Sequence, residues 1–354
     1  MSLSEIIAWL RETNPARLAV LWRQADRTRQ EAVGGEVHLR GLIEFSNHCV
    51  RLCAYCGLRA ANTDLPRYRM TEEEILGCVR QAVAFGYGTV VLQSGEDPAI
   101  QADWMSHVVR RIKSETALAV TLSLGEREAD ELAAWRQAGA DRYLLRFETS
   151  NRELYERIHP PRPGRTSDRI ALLSVLGDLG YEVGSGVMIG IPGQTFEDLA
   201  RDIDLFRTLD LDMIGVGPFL LHPATPLADR RAWPQAPPEE QVPNGELMTY
   251  KVLALARLVQ PRANIPSTTA LATLNVESGR ELGLVRGANV IMPNLTPPQY
   301  RVHYEIYPNK ACIRETAHAC NECTAARIRR LGRSTGAGRG DARQSCPRPS
   351  TRRN

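Results

Sequence analysis

The sequence lacks any long apolar run. No stretch of its 354 residues approaches the ~18 consecutive apolar residues that a membrane span needs. The first ten residues, Met1–Leu10, have neither the basic start nor the extended apolar segment of a secretory signal. These absences argue against a membrane-bound or secreted protein. We therefore expect a cytoplasmic protein with no membrane partner.

The sequence also has little net charge, +3 at pH 7. Residues 327–354 hold nine arginines and a single acid, so the rest of the chain has a net charge of −5. The positive balance comes from a C-terminal tail, and we expect no nucleic-acid partner. After Gly332 the tail is rich in Gly, Ser, Pro and Arg without periodicity. This composition predicts a disordered basic tail over 334–354.

Cysteine is not abundant, but its spacing is informative. Eight cysteines in a chain expected to be cytoplasmic indicate metal binding before disulfides. Six of them form two groups of three: Cys49, Cys53 and Cys56, then Cys312, Cys320 and Cys323. Cys78 lies on a predicted helix and Cys346 in the tail, so neither is expected to be a ligand.

Short β-rich runs alternate with longer helical patterns from Val37 onward, which indicates repeated βα units. A capping box, Thr71 with Glu74, begins one helical pattern, and Ser167 or Asp168 is expected to cap another. With eight β-rich runs, the pattern predicts an α/β fold, a full (βα)8 TIM-type barrel. The runs are 38–46, 89–95, 118–125, 142–148, 183–190, 212–219, 263–269 and 288–294.

The predicted domain boundaries follow from this reading. Residues 1–36 form an N-terminal helical cap of two helices, broken near Pro15, at the bottom of the barrel. Residues 37–310 form the barrel itself. Residues 311–333 form a C-terminal extension with the second cysteine group and a helix.

The first cysteine group, C-x3-C-x2-C, comes just after the first predicted strand. In a barrel, the loops after the strands form the catalytic face. Cysteine thiolates hold iron-sulfur clusters, normally four for a 4Fe–4S cluster, so three ligands leave one iron open. A zinc site with His48 as the fourth ligand is the alternative.

This cysteine spacing, with Tyr55 before the last cysteine, resembles the radical S-adenosylmethionine (SAM) superfamily. The resemblance implies a 4Fe–4S cluster on Cys49, Cys53 and Cys56 that binds SAM and cleaves it reductively to a 5′-deoxyadenosyl radical. It further implies a SAM site at the strand ends and an adenine pocket shaped by the GIPGQT segment, residues 190–195. The residues it assigns to SAM are Tyr55, Ser94, Gly95, Glu96, Ser123, Arg146, Glu148 and Arg169. Ser94 departs from the family's usual glycine.

Longer runs, among them FSNHCVRLCAYCGLR (45–59) and GPFLLHPATPLA (217–228), resemble the HydE family of FeFe-hydrogenase maturases. The likeness extends from about residue 40 to 333. It implies a cysteine-ligated Fe(CO)2(CN) complex as substrate, the maturases HydG and HydF as partners, and a reductant such as ferredoxin or flavodoxin. It also implies a possible second iron-sulfur cluster, 2Fe–2S or 4Fe–4S, on Cys312, Cys320 and Cys323, with either a redox or a structural role.

Several candidate inward positions are polar, although barrel interiors are normally filled with Val, Ile and Leu. Buried polar groups without partners are costly, so we expect a cavity for SAM and a small anionic substrate. The candidate substrate residues are Thr121, Arg142, Thr268, Thr269, Tyr300 and Tyr304. Arg142 and Thr269 are predicted to form the anion seat deep in the barrel.

Three other functions remain open at this point. A methylornithine-synthase-like or a biotin-synthase-like enzyme shares the first cluster and the barrel, so C-x3-C-x2-C does not separate them from the maturases. A non-catalytic iron-sulfur carrier is the third alternative. A carrier has no need of a SAM site or a polar barrel interior.

Overall fold

The computed structural model describes residues 1–229 and 233–342, and it contains alternating helices and short strands. The helices are α1 (Leu3–Arg11), α2 (Pro15–Val33), α3 (Glu72–Ala84), α4 (Ala102–Glu115), α5 (Ala129–Gln137), α6 (Arg152–Ile158), α7 (Arg169–Asp178), α8 (Phe196–Thr208), α9 (Glu246–Val259), α10 (Thr269–Leu274), α11 (Gly279–Leu284), α12 (Pro298–Arg301) and α13 (Ala317–Arg330). The strands are β1 (His38–Ser46), β2 (Thr89–Ser94), β3 (Ala119–Ser123), β4 (Arg142–Leu144), β5 (Glu182–Ser185), β6 (Met188–Ile189), β7 (Met213–Ile214), β8 (Gly217–Pro218) and β9 (Val290–Ile291).

Seven strands form one parallel sheet that curls into a half-barrel, in the order β7–β5–β4–β3–β2–β1–β9. The register pairs Arg40 with Thr89, and Thr121 with both Val91 and Arg142. Paired residues point to the same face of a sheet. This concave face is therefore partly polar. The opposite face is apolar and packs against the helices, with buried residues such as Ile43, Phe45, Val90, Leu92, Val120, Leu122, Tyr143 and Leu145.

Two of the predicted strands are interrupted. The runs 183–190 and 212–219 each divide into two short strands, and β6 pairs with β8 in a separate two-stranded sheet. Gly186 and Gly215 lie at the two breaks, and a Cβ at Gly186 would overlap the carbonyl oxygen of Gly215. This close approach of two backbones separates the small sheet from the large one.

The seventh predicted run, 263–269, contributes single bridges rather than a regular strand. Asn264 bridges Met213 on β7, and Pro266 bridges Val290 on β9. Backbone hydrogen bonds accompany the bridges, from Ile214 N to Asn264 O at 3.0 Å and from Ser267 N to Val290 O at 2.9 Å. Pro266 has no N–H to donate, which limits the pairing that this segment can make.

The helix boundaries predicted from capping residues agree with the structure. Thr71 and Glu74 form a capping box at the start of α3. Asp168, one of the two candidate caps, accepts from Ala171 N at the start of α7. No helix of the described residues is long and apolar enough to cross a membrane.

The N-terminal helices pack on other helices. α1 packs against α8 and α9, and α2 packs against α9, so both add to the outer helical layer. Asn14 caps α2 with Pro15 at its first position, as the break in the pattern predicted. The C-terminal segment 334–342 also lies at the amino ends of the strands, where residues 339 and 340 bond side chains of the sheet.

That segment differs from the predicted disordered tail over its described part. Residue 335 bridges Val37 at the start of β1, and the carbonyl groups of residues 339 and 340 accept hydrogen bonds from side chains on three strands and on the bridging segment 263–269. A glycine-rich composition therefore reflects close packing against the sheet here. The remainder of the predicted tail, residues 343–354 with Cys346, lies outside the described residues.

Candidate active site

The first cysteine group lies in a loop that follows β1 and is fixed to its surroundings by backbone hydrogen bonds. Val50 N donates to Glu96 O at 3.0 Å, and Ala54 N donates to Ile158 O at 2.8 Å. Gly57 N donates to Ile306 O at 3.0 Å. The loop is thus held at the carboxyl ends of the strands, where parallel α/β folds place their sites.

The three thiols of this loop lie close enough to influence one another. Burial and the neighbouring Cys56 and Cys49 raise the pKa of Cys53 well above its ordinary value. Burial and Cys49 raise the pKa of Cys56 to about 12. Burial also raises the pKa of Cys49, while backbone N–H groups of Arg51 and Glu96 oppose the shift. Buried thiols that crowd together in this way are stabilised as thiolates when iron replaces their protons.

The donor set fits an iron-sulfur cluster. None of the seven cysteines in the described part of the chain is in a disulfide. Within the same residues, no three His, Cys, Asp or Glu side chains converge to hold a single metal ion. A cluster binds its thiolates on separate irons, and it accepts backbone N–H groups directed at sulfur. Such groups approach Cys49, as described above, and Leu58 N approaches Cys56.

The Ser94–Gly95 turn at the end of β2 lies against the cysteine loop. A Cβ at Gly95 would overlap the carbonyl oxygen of His48 and lie 2.8 Å from the Cβ of Cys49. Ser94 Oγ donates to Gly95 O at 2.6 Å. Glycine is thus required at position 95 because the two backbones touch. The turn and the cysteine loop are therefore in direct contact.

The Glu96 carboxylate, by contrast, points to a buried arginine. Arg51 Nε lies 2.9 Å from Glu96 Oε1, and Arg51 Nη2 lies 2.5 Å from Glu126 Oε2. Glu96 Oε2 accepts from Glu126 N at 3.1 Å. Arg51 and Glu126 were missed from the sequence, although Arg51 lies between two of the cysteines. These ion pairs connect the cysteine loop to the ends of β2 and β3. The Glu96 carboxylate therefore holds the loop in place through Arg51.

Arg169 extends the same network toward the predicted SAM residues. Its Nε donates to Glu126 Oε1 at 2.9 Å, its Nη1 to Arg146 O at 2.8 Å, and its Nη2 lies 2.5 Å from His159 Nε2. Burial, Arg169 and Arg51 lower the pKa of His159 far below its ordinary value, so the ring is neutral. Burial alone would raise the pKa of Glu126, but Arg169 and Arg51 lower it.

Tyr55, Arg146 and Glu148 lie beside this network. Burial raises the pKa of Tyr55 well above its ordinary value, and the nearby Glu148 adds to the shift. Arg146 Nη2 lies 3.0 Å from Glu148 Oε2, while the buried Arg146 Nε has no hydrogen-bond partner. Glu148 has φ +65°, which is uncommon for a residue other than glycine and is frequent at functional sites. The structure brings these predicted residues together.

The concave face of the sheet is open near the carboxyl ends of the strands. Gln93, Ser123, Leu144 and Arg146 are all half-buried although they belong to the sheet or follow it directly. Deeper in the sheet, Thr121 is buried and its Oγ1 has no hydrogen-bond partner. An accessible apolar side chain and unpaired polar atoms on one face indicate space for a ligand.

Four substrate candidates lie beyond residue 260. Three of them, Thr268, Thr269 and Tyr304, lie on the concave side of the sheet. Thr268 caps α10, and its buried Oγ1 has no hydrogen-bond partner. Thr269 is the first residue of α10 and is half-buried. Tyr304 is buried, and its hydroxyl accepts from Gln93 Nε2 at 3.2 Å. Burial and Glu44 raise the pKa of Tyr304 well above its ordinary value, so it remains a neutral phenol.

Tyr300 is directed elsewhere. Its hydroxyl donates to Glu74 Oε1 at 2.6 Å, and its ring stacks on Tyr68 at 4.8 Å between centroids. Glu74 belongs to the capping box of α3, on the helical side of the sheet. The predicted substrate role for Tyr300 is therefore wrong, because this side chain links two outer elements.

The predicted anion seat at Arg142 is also wrong. Arg142 is 1% exposed and begins β4, so it lies at the amino end of the sheet, away from the cysteines. Its Nε donates to Glu182 Oε2 at 2.5 Å, its Nη1 to Thr89 Oγ1 at 2.9 Å, and its Nη2 pairs with Asp341. The protein itself supplies the anions that a buried guanidinium requires.

A second set of residues missed from the sequence fixes the GIPGQT segment. Gln194 Oε1 accepts from Gly190 N at 2.7 Å, and Gln194 Nε2 lies 3.4 Å from Asp202 Oδ2. Asp202 Oδ1 accepts from Ser150 N and from Ser150 Oγ, each at 2.6 Å. Asp202 is fully buried, and burial raises its pKa to about 7. This carboxyl joins the segment after β6 to the turn that follows Glu148.

In the second cysteine group, Cys312 and Cys320 lie together. A hydrogen bond from the Cys312 thiol lowers the pKa of Cys320 below its ordinary value, against the effect of burial. Arg280 Nη2 lies 3.4 Å from Cys312 Sγ, and Arg327 Nε lies 3.4 Å from Cys323 Sγ. Cys323 is exposed, one helical turn beyond Cys320 on α13. The group therefore lies beside two arginines at the edge of the fold.

Comparison with known proteins places this site in a family. Residues 43–206 match the Radical SAM superfamily. The chain is 47% identical to the FeFe hydrogenase maturase subunit HydE of Thermotoga maritima, over 89% of this chain and 86% of that protein. It is 28% identical to the 3-methylornithine synthase of Methanosarcina acetivorans, over 82% and 79% of the two chains. The crystal structure of methylornithine synthase (PylB) superposes with a TM-score of 0.77 at 25% identity, covering 95% of this chain and 94% of that one. The chain is a radical SAM enzyme and belongs to the HydE family of maturases.

Proposed function

We propose that this enzyme acts in the assembly of the active-site diiron cofactor of FeFe hydrogenase. The observation that carries the proposal is the 47% identity to a HydE maturase subunit across 89% of the chain. Membership of the radical SAM superfamily implies a 4Fe–4S cluster and SAM. We expect the protein to act in the cytoplasm.

Cys49, Cys53 and Cys56 would hold the cluster, and the open iron would bind SAM. Such a cluster, given one electron by a ferredoxin or flavodoxin, would supply the reductive cleavage of SAM to methionine and a 5′-deoxyadenosyl radical. Arg51 contributes by holding the cysteine loop on Glu96 and Glu126. The Arg51 guanidinium also favours the thiolate forms of Cys49 and Cys53.

The proposed SAM site extends from the cysteine loop along the strand ends. The Ser94–Gly95 backbone touches the loop, and this turn would bind the methionyl amine. Arg146 has an unpartnered Nε and so a free donor for the carboxylate or ribose of SAM. Tyr55, Ser123, Glu148 and Arg169 would complete the site. Glu96 would act through Arg51 rather than by direct contact.

We further propose that the half-barrel closes into a complete (βα)8 barrel. The bridges of Asn264 to Met213 and of Pro266 to Val290 support this closure, since they connect the two edges β7 and β9. The interior would then form one cavity, with its mouth at the cysteine loop. Thr121 and Thr268 offer unpartnered hydroxyls inside it, and Thr269 and Tyr304 lie nearby.

These groups suit a small anionic substrate, and a cysteine-ligated Fe(CO)2(CN) complex is the substrate that we propose. The maturase HydG would supply it and the scaffold HydF would receive the product. Cys312, Cys320 and Cys323 would hold a second iron-sulfur cluster, and the proximity of Cys312 to Cys320 supports that assignment.

The test is anaerobic reconstitution followed by turnover with SAM, a reductant and the synthetic iron-cysteine complex. We expect conversion of the complex only when SAM is present. The loss of the cysteine-ligated species is measured from the infrared bands of its CO and CN ligands. Formation of 5′-deoxyadenosine is measured in parallel. If the complex is recovered unchanged while 5′-deoxyadenosine accumulates, the proposed substrate is wrong.

Two variants serve as controls. Cys49→Ala should lose both reactions, because two cysteines do not hold the cluster. Cys78→Ala should retain both, since Cys78 is a buried thiol on α3 and belongs to neither cysteine group. Loss of both reactions in Cys78→Ala would indicate that removing any buried thiol damages the fold. The loss in Cys49→Ala would then no longer support Cys49 as a cluster ligand.

A further inference from the structure

Three buried polar side chains lie on the two sides of the loop 160–166, between α6 and α7. Tyr155 lies on α6 and His159 directly follows that helix, while Ser167 comes two residues before Arg169, the first residue of α7. Tyr155, His159 and Ser167 are 4%, 0% and 2% exposed. Polar groups buried to this degree need hydrogen-bond partners.

These side chains form a closed ring of hydrogen bonds with Arg169 and Glu126. Arg169 Nη2 lies 2.5 Å from His159 Nε2, and His159 Nδ1 lies 3.2 Å from the Tyr155 hydroxyl. The Tyr155 hydroxyl lies 2.7 Å from Ser167 Oγ, which in turn lies 2.8 Å from Glu126 Oε1. The same carboxylate oxygen accepts from Arg169 Nε at 2.9 Å and completes the ring.

The chemistry of the five groups determines which atom donates at each step. An arginine only donates, so His159 Nε2 accepts from Arg169, and the single imidazole proton is on Nδ1 and directed to Tyr155. The Glu126 carboxylate only accepts, so the Ser167 hydroxyl donates to it. Ser167 Oγ then accepts from the Tyr155 hydroxyl, because the other acceptor within its reach, Glu126 Oε1, is 3.5 Å away. The two neighbours of His159 therefore fix its tautomer.

The ring holds the Arg169 guanidinium beside the cysteine loop. Burial raises the pKa of Cys53 and of Tyr55, and the charge of Arg169 opposes both shifts, so the guanidinium lies close to both groups. Arg169 Nη1 also donates to Arg146 O at 2.8 Å. Protein atoms in the described part of the chain thus use three of its five N–H groups, which leaves two for a ligand. A fixed guanidinium with two N–H groups to donate suits a carboxylate.

We propose that Tyr155, His159 and Ser167 are positioning residues that hold Arg169 in place for the carboxylate of SAM. The inference rests on the proposed function, which assigns Arg169 to the SAM site. His159 acts as the acceptor for Arg169, while Tyr155 and Ser167 keep the imidazole in the tautomer that can accept. Loss of the ring lets the guanidinium turn away, which weakens SAM binding and leaves cluster loading unchanged.

Three substitutions at His159 separate its two hydrogen bonds in the reconstituted full chain. His159→Gln places an acceptor near the position of Nε2 and keeps the bond to Arg169. His159→Asn places a donor near the position of Nδ1 and keeps only the bond to Tyr155, and His159→Leu keeps neither. We expect the Kd of SAM to rise at least about tenfold in the Asn and Leu variants, which lose a hydrogen bond to a charged group. In His159→Gln it should rise less than about threefold, with iron per chain unchanged in all three.

The same Kd in all three variants would overturn the inference, because a merely structural histidine would not distinguish Gln from Asn. Arg169→Leu separates this failure from a failure of the SAM site. If Arg169→Leu weakens SAM binding while the His159 variants do not differ, the positioning role alone is wrong. Normal SAM binding by Arg169→Leu would show that Arg169 lies outside the SAM site, and both assignments would then be wrong.

Tyr155→Phe tests the ring from the opposite side. It removes the hydroxyl between His159 and Ser167, and the Kd of SAM should rise by about threefold to tenfold, the effect of one neutral hydrogen bond. Tyr181→Phe is the matched control, since Tyr181 is 1% exposed and its hydroxyl donates to Leu132 O of α5 at 2.7 Å. Both variants should lose thermal stability, but only Tyr155→Phe should lose SAM affinity. Equal SAM affinity in the two would contradict the role of Tyr155.

The proton positions can also be measured without altering the ring. In the full chain labelled with 15N-histidine, NMR should show one neutral imidazole with a protonated Nδ1 and an unprotonated Nε2. The signal that disappears in His159→Gln assigns it to His159. A protonated Nε2 in that imidazole would overturn the inference, because it could not accept from Arg169.

Discussion

Replacement of Arg51 by methionine is the sharpest test of how the cysteine loop is held. The side chains of Arg51, Glu96 and Glu126 are 4%, 8% and 16% exposed, so the ion pairs are largely shielded from solvent. Removing one partner of a buried pair costs about 3–5 kcal/mol, because the remaining charge is left uncompensated. Glu126 keeps Arg169, so we expect the lower end, about 3 kcal/mol. Methionine preserves much of the length of the arginine side chain.

The assay is thermal unfolding of the protein before cluster insertion. A loss of this size should lower the midpoint by about 6–12 °C, since ~1 kcal/mol corresponds to ~2–4 °C for a large domain. Arg59→Met is the control, because Arg59 is half-buried in the same loop and donates to Leu52 O at a long 3.4 Å. We expect its midpoint to change by no more than about 2 °C, the scale of a surface substitution.

A second variant separates lost charge from lost packing. Adding Glu96→Gln to Arg51→Met removes a carboxylate that keeps only a long contact with Arg162, 3.9 Å, and should recover part of the midpoint. Iron bound per chain after reconstitution should also fall in Arg51→Met more than in Arg59→Met, because the loop is no longer held in place. Equal midpoints for the two single variants would refute the reasoning.

Three further predictions concern the two cysteine groups and the residues around the first of them. Cys49→Ala should abolish iron-sulfur absorbance and 5′-deoxyadenosine formation, whereas Cys320→Ala should leave SAM cleavage largely intact; both are measured after anaerobic reconstitution. Gly95→Ala should prevent normal cluster loading, because its methyl group overlaps the carbonyl of His48; iron analysis measures this, and circular dichroism checks the fold. His159 is buried with a pKa far below its unfolded value of 6.5, so the unfolded chain binds more protons and stability should fall as pH drops below about 6.5. In His159→Gln the slope of the unfolding free energy against pH should decrease by the equivalent of about one bound proton. Urea unfolding between pH 5 and 7 measures this slope.

Much of the site could be predicted because its residues follow strands directly in the sequence. Cys49, Gly95 and Arg146 each come at or just after a strand, and the carboxyl ends of parallel strands meet at one edge. The alternation of side chains along a strand also showed which residues share a face. Local chemistry of this kind is visible in a single sequence.

The depth of a residue along the strand is not visible in the same way. Arg142 and Arg146 have the same parity on the fourth strand, yet Arg142 lies at the amino end and meets Asp341 from the C-terminal segment. The sequence predicted disorder there because a run of Gly and Arg has no apolar periodicity. Its order comes from hydrogen bonds to distant strands, a partner that local composition does not reveal. The same limitation explains why Arg51 was missed, since its carboxylate partners follow two other strands.

The bridge between Val37 and Thr335 also determines when the fold is complete. Proteins are synthesised from the N terminus, and contacts between residues far apart in sequence form late because a long loop must close first. Strand β1 emerges early, but Thr335, which pairs with the residue just before it, is made only after all the other strands. A nascent chain that stops short of residue 335 therefore lacks the segment that accepts hydrogen bonds from the buried side chains of Arg40 and Arg142. Synthesis of residue 335 supplies the neighbour that the start of the first strand otherwise lacks.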